Sequence, residues 1–284
     1  MENIYGIGTI AEEKLTHGMM PMEGTYEKKH DNYGNYIDKH GSVYGCFPTT
    51  YSKKLEDGTY DFSFLEIEGY TLERAFINAD KVKDAVFVMK YIGSNNNGIL
   101  TSSKDAKAVT TNSDFNPVSK IDGCLENRFD EMYTACKSIG DDFFLTSIFI
   151  WDMLSRMKKT YDPSKQKNTH NGLKNGIVSD EDMWDIASGF TRNDDKFITL
   201  KQSADITKIT KESAYDFENY DSTCLLHLAN NFDVFGKSYA REYCTCLVGG
   251  YWSHGSLAGA FTLTLSNSRA DSDNSVGGRA SVFL

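Results

Sequence analysis

No stretch of the sequence approaches the roughly 18 consecutive apolar residues that read as a membrane-spanning helix. The N-terminus, MENIYGIGTIAEEK, has neither a basic leader nor a long apolar core, so no signal peptide is read there. These absences describe a chain made in the cytoplasm and not inserted into a membrane; a particle released by lysis could still carry it to the cell exterior. Positive charge is also short: 30 Lys and Arg stand against 40 Asp and Glu, a formal net charge of −10. Nucleic acid and anionic membranes reward a basic face, so neither is expected as the main partner. Cysteine is sparse. Cys46, Cys124, Cys136, Cys224, Cys244 and Cys246 are scattered through 284 residues, far below the density of a disulfide scaffold, and read as reduced and buried. Only Cys244-Thr245-Cys246 is close-set. That C-x-C lacks a second pair and a nearby His, and alternating positions on a strand explain it better than zinc. No repeat of fixed period is present.

What the chain does have is enough apolar material for a sizeable core without metal or disulfide. Apolar residues make up 40% and charged residues 25%, while 16 Tyr and 17 Phe raise the aromatic share to 13%. Tyrosine in that number suits a recognition surface. Residues 1–45, rich in Gly, Tyr, Lys and Glu with little periodicity, read as an extended or irregular attachment segment, and residues 46–284 as the folded domain. A strand signal at Val43–Phe47 precedes Asp57-Gly58, a hairpin signal before Tyr60–Phe64. Asp84–Tyr91, β-branched and aromatic, is the clearest strand. Leu125, Phe129, Met132, Tyr133 and Cys136 share one face of a helix that Gly140 could close. Ser147 could cap a second helix, Ile148 to about Met157, with Trp151 and Leu154 turned inward. Tyr161–Asp180 reads as loop, and Lys196–Ile209 as short strands at best. Two central helices flanked by short strands point to a loop-rich α+β fold with a small antiparallel sheet.

The last 36 residues, GGYWSHGSLAGAFTLTLSNSRADSDNSVGGRASVFL, separate into two kinds of position. Gly249 and Gly250 allow a positive φ or a close backbone approach, and Trp252 supplies a large buried anchor beside them. Phe261, Leu263 and Leu265 alternate with Ala260, Thr262 and Thr264 as a half-buried strand. Between these fixed points lie Tyr251, Ser253, His254, Ser256 and Leu257, then Asn267, Arg269, Asp271, Ser272 and Asn274. Tyr, Ser and Asn with an occasional Arg are the chemistry of an antibody paratope: rigid amphipathic area and adaptable hydrogen bonds. Thr245 and Tyr243 could border the same surface. Asp271-Ser272-Asp273-Asn274 offers oxygens but not the glutamate and spacing of a calcium loop, so a solvated turn is the better reading. His227, on an apolar run, reads as a core histidine. His254 has no partnered nucleophile, and no catalytic residue is assigned.

The order Gly249-Gly250-x-Trp252, Ala258-Gly259-x-Phe261 and Gly277-Gly278-Arg279 resembles the ending of C-type-lectin-fold domains of the branch that includes formylglycine-generating enzymes. Within that branch it is most similar to phage tail receptor-binding proteins and retroelement-diversified variable proteins. The resemblance extends upstream through Phe47-Pro48, Gly69–Phe76, the Val86–Tyr91 strand and Leu145-Thr146-Ser147 leading to Trp151. It implies a structural role for Gly249, Gly250, Trp252, Gly259, Phe261, Gly278 and Arg279. It departs at Ile150, where many relatives carry an acid. No cysteine follows Cys246, so the copper-binding pair of the oxidising enzymes is missing and no cofactor or metal is expected.

The resemblance implies a non-enzymatic adhesin of a virion tail that binds a host-cell surface receptor, protein or glycan. It further implies contacts with other tail or virion proteins and a homo-oligomer, by analogy a trimer, in which weak contacts gain from multivalency. The rivals are an enzyme of the formylglycine-generating type and a structural assembly protein.

Overall fold

The structure is a computed structural model that describes residues 7–79, 81–161, 183–193, 196–200, 202, 214–216, 244–251 and 263–284. The first half of the chain forms strands β1 (Met20–Pro21), β2 (Asn35–Ile37), β3 (Val43–Pro48), β4 (Tyr51–Lys54), β5 (Tyr60–Ser63), β6 (Thr71–Leu72), β7 (Ile77–Asn78), β8 (Lys81–Val82), β9 (Ala85–Met89), β10 (Ser94–Asn96) and β11 (Ile99–Thr101). Helix α1 (Glu131–Lys137), strand β12 (Phe144–Leu145) and helix α2 (Ile148–Tyr161) follow. The remainder supplies β13 (Trp184–Ala187), β14 (Phe190–Asn193), β15 (Lys196–Leu200), β16 (Ala214–Asp216), β17 (Cys244–Val248), β18 (Leu263–Ser268), β19 (Val276–Gly278) and β20 (Ala280–Phe283).

The main sheet is antiparallel, in the order β1-β2-β3-β9-β20-β12. Strand β9 lies at its centre and every residue of it is buried. That explains its unbroken apolar run: a strand covered on both faces has no polar side to show. Val86 and Val88 point into one core, with Phe149, Met153 and Met157 of α2, while Ala85, Phe87 and Met89 point into the other, with Met132, Ala135 and Cys136 of α1. A second sheet, β18-β17-β13-β19, shares both cores through Cys246 and Val248 on one side and Ile186, Leu247 and Val276 on the other. Mostly sheet, with two helices and many loops, this is the α+β composition expected. The sheets are larger than the small one foreseen, and the pairing of β13 with β19 is parallel.

Several local expectations hold. The Asp57-Gly58 turn joins β4 to β5 as a hairpin, with Asp57 Oδ1 accepting from Thr59 N at 2.9 Å and Thr59 Oγ1 at 2.6 Å. Ser147 caps α2: its Oγ accepts from Ile150 N at 3.3 Å, and Trp151 and Leu154 are buried. Ile150 sits in the apolar core; the first turn of α2 holds no acid, and Asp152 follows it, buried. Asp152 Oδ2 accepts from Arg156 Nε at 2.9 Å, and Arg156 also meets Glu73 in a bidentate pair at 2.5 and 2.8 Å, all three side chains being buried. One short strand, β15, occupies Lys196–Leu200, in a sheet ordered β14-β15-β16; the rest of the stretch to Ile209, apart from Gln202, lies outside the described residues.

Others need correction. Helix α1 starts at Glu131, and Leu125, expected on its buried face, is 85% exposed. The backbone donors of Phe129 and Asp130 are taken by carbonyls of a distant loop, Asp271 O at 3.0 Å and Arg269 O at 3.2 Å, so no helical turn precedes them. Gly140 does not cap α1 with a positive φ. Ser138 closes it through Oγ and N, both donating to Ala135 O. The expected boundary at residue 45 falls inside β3, and residues 7–45 are not a separate irregular arm. Strands β1 and β2 extend the main sheet, and Ile7, Met19, Tyr33 and Tyr36 are buried, the Tyr36 hydroxyl bonding Ile10 N at 2.8 Å and Ile10 O at 3.0 Å. Aromatic residues supply the burial that the segment's weak periodicity concealed. The loop read at 161–180, apart from Tyr161 at the end of α2, lies outside the described residues, as do Cys224, His227 and Tyr243. No helix among the described residues is long and apolar enough to cross a membrane.

Candidate functional site

Two glycine pairs and one arginine set the frame. Gly249 and Gly250, at the end of β17, have φ of 97° and 104°, a left-handed region that favours glycine, and they turn the chain out of the sheet. Gly277 and Gly278 serve close approach instead. A Cβ on Gly277 would lie 2.9 Å from Val109 O, and one on Gly278 would lie 2.9 Å from Leu145 Cδ1. The space these glycines leave lets β19 pack under the loops of the first half, with Gly93 N donating to Gly278 O at 2.9 Å.

Arg279 stands where the chain crosses from β19 in the second sheet to β20 in the first. Its guanidinium is buried, with Nε donating to Asp185 Oδ2 of β13 at 3.2 Å and Nη1 to Lys90 O, just past β9, at 2.9 Å. It also lies 6.0 Å from the centre of the Trp151 ring. One side chain thus ties both sheets to α2. Burial holds the Asp185 carboxyl above the usual carboxylate range, and the charge of Arg279 opposes the shift.

On this frame sit residues 266–275, the end of β18 and the loop that follows it, hereafter the loop 266–275. Its acids organise its own backbone. Asp271 accepts from Ser268 N at 3.0 Å, Ser268 Oγ at 2.8 Å and Asn267 Nδ2 at 3.4 Å. Asp273 Oδ1 accepts from Ser275 N at 2.6 Å and Ser275 Oγ at 2.5 Å. The two carboxylates are engaged within the turn, as the solvated-turn reading of this stretch expects. Neighbouring loops hold it further: Thr111 Oγ1 donates to Asp273 O at 3.0 Å and accepts from Asp273 N at 2.9 Å, while Phe129 N and Asp130 N bond the carbonyls of Asp271 and Arg269. The backbone is therefore fixed while Ser272 and Asn274 are exposed.

Of the residues expected at a recognition surface, the structure brings together Asn267, Arg269, Asp271, Ser272 and Asn274 on this loop. Tyr251 is half-buried and packs on the core that contains α1. Arg269 is half-buried near Tyr133, whose phenol burial pushes well up while the Arg269 charge opposes it. Thr245, proposed to border the surface, is buried on β17 opposite Asn267. Ser253, His254, Ser256 and Leu257, with the frame residues Trp252, Gly259 and Phe261, lie outside the described residues. Leu263 and Leu265 are buried as expected, but so is Thr264 between them, because this end of β18 is covered on both faces. Cys46, Cys124, Cys136 and Cys246 are buried and form no disulfide. Burial pushes Cys124 up to about 12 and raises Cys46 and Cys136 further, which keeps them protonated and poorly nucleophilic.

Sequence reasoning missed Asp185, the partner of Arg279, and the two loops that hold residues 269–273. No local signal marks them, since each pairing spans about 90 to 160 positions.

No family model and no curated protein matches the chain. Among solved structures it is similar to several described as Major Tropism Determinant variants. The I1 variant has a TM-score of 0.38 and 12% identity, over 88% of this chain and 81% of that one. The M1 variant has a TM-score of 0.36 and 11% identity, over 98% and 85%. Overlap of that size is too small to establish a shared fold, and neither the fold nor the function rests on it.

Proposed function

We propose that the protein is a non-enzymatic ligand-binding protein, an adhesin of a virion tail, that recognises a host-cell surface molecule through its C-terminal segment. The observation that carries this reading is the division of labour in residues 266–275. Asp271, Asp273 and two neighbouring loops hold the backbone, and small polar side chains at Ser272 and Asn274 face solvent. A binding surface needs that arrangement, because a preorganised backbone lowers the ordering cost of each contact. Ser253, His254, Ser256 and Leu257 belong to the same surface in this reading. We further propose a C-type-lectin-like fold whose main sheet includes β1 and β2, a docking role toward other tail proteins for the N-terminal region, and a homo-oligomer, by analogy a trimer, that multiplies a weak contact.

The test is binding of fluorescently labelled protein to a panel of intact bacteria, beside a variant with Ser253, His254, Ser272 and Asn274 changed to alanine. The expected result is saturable binding to some strains by the wild type, and loss in the variant at an unchanged melting temperature. Equal binding by both would remove the C-terminal segment from recognition.

A further inference from the structure

We propose that the recognition surface is a composite of three loops and takes a folded protein with an apolar centre and a basic rim; this rests on the reading above. The loop 266–275 is one member of a hydrogen-bonded ring. Thr111 joins it to the loop 110–118, which closes on itself through Thr110 N to Asn116 O at 3.0 Å and Val118 N to Thr110 O at 2.8 Å. Phe129 and Asp130 join it to the loop 122–130. Asn127 Oδ1 accepts from Ser119 N at 3.2 Å, which connects that loop back to the first. Two neighbouring loops, 110–118 and 122–130, and one from about 140 to 160 positions further on thus form one backbone-fixed surface.

Two of them carry bare apolar side chains. Leu125 is 85% exposed and Phe115 is 49% exposed. A lone exposed leucine means little, since much of any protein surface is apolar. Here, however, both stand on loops that the hydrogen-bonded ring ties to the polar loop. Apolar anchors beside adaptable polar contacts are the anatomy of a protein–protein interface. A glycan can stack a C–H face on the Phe115 ring, but the aliphatic Leu125 side chain suits the apolar patch of a protein better. The rim is net acidic: Asp114, Asp122, Glu126, Asp130, Asp271 and Asp273 stand against Lys107, Lys120, Arg128 and Arg269, with Arg128 drawn to Glu126 at 3.0 Å and Asp130 at 3.2 Å. Lysine and arginine around the partner's apolar patch complement that rim.

The probe is intact cells of a strain that binds the wild-type protein, either untreated, shaved with proteinase K, or oxidised with periodate. The variants are L125S and F115S, both at exposed positions, with melting temperatures expected to match the wild type. Each should bind untreated cells about tenfold or more weakly, the scale of a hot-spot truncation. Shaving should abolish wild-type binding, periodate should spare it, and raised salt should weaken it. If L125S and F115S bind as wild type while the alanine variant of the polar loop does not, the C-terminal reading stands and the composite surface falls. Binding lost to periodate but not to shaving would assign a glycan and overturn the proposal. A sedimentation shift from oligomer to monomer in L125S would give the surface to a second copy and overturn it too. Failure of the wild type on every strain would remove the adhesin reading, and this inference with it.

Discussion

Changing Arg279 to methionine should destabilise the fold far more than any surface change, and by an amount that depends on pH. Methionine keeps most of the buried volume but removes the donors to Asp185 and Lys90 O. Breaking a buried ion pair by deleting one partner costs about 3–5 kcal/mol, because the remaining charge stays desolvated. For a chain of this size each kcal/mol moves the melting midpoint by ~2 °C, so R279M should melt roughly 6–10 °C lower at pH 7. Asp185 already lies above the usual carboxylate range, because burial raises it by more than Arg279 lowers it. A carboxyl whose pKa is higher folded than unfolded contributes stability that is fully present below the unfolded value and lost as pH rises through the folded one. Without Arg279 the folded value moves further up, so the deficit of R279M should be largest at neutral pH. It should shrink as pH falls toward the ordinary carboxylate value of about 4. Adding D185N to R279M should restore part of the loss at pH 7, since it removes the stranded charge. Differential scanning fluorimetry between pH 4 and 8 reads all of this. A midpoint for R279M within about 1 °C of wild type at pH 7, or a deficit that does not narrow on acidification, would refute the reasoning.

Two further changes probe other parts of the frame. R156M withdraws the guanidinium from between Glu73 and Asp152, all three buried, and should cost about 3–5 kcal/mol, read as a lowered urea midpoint at unchanged slope. D271A removes the acceptor for Ser268 N, Ser268 Oγ and Asn267 Nδ2 and should cost about 1–2 kcal/mol. Its stronger signature should be faster amide exchange at Ser268, together with weaker cell binding if the loop recognises the receptor as proposed, because the loop loses its internal brace.

Much of the local structure was legible in the residues. Asp57-Gly58 announces its hairpin because the Asp57 carboxylate bonds the backbone two residues on, a contact that needs nothing distant. Ser147 announces the start of α2 in the same way. The misplacement of Leu125 has the opposite cause. Its spacing from Phe129 and Met132 suits a helix, but the donors of Phe129 and Asp130 are claimed by carbonyls about 140 positions away. Residues 7–45 were misjudged for a related reason, since β1 and β2 are short and gain their order only by pairing onto β3. Composition marks the polar residues 266–275, but no local signal marks the neighbours that hold them.

The sequence by itself determined what depends on the next few residues: the turn at Gly58, the cap at Ser147, the positive φ at Gly249 and Gly250, and the apolar run of β9. Tertiary structure alone decided which buried acid meets Arg279, where α1 begins, and that Phe115 and Leu125 stand on loops bound to residues 269–273. The physical reason is range. Turn and cap geometry is settled by contacts within a few residues. A buried charge or an orphan backbone donor is satisfied by whatever the fold brings near, at any distance along the chain.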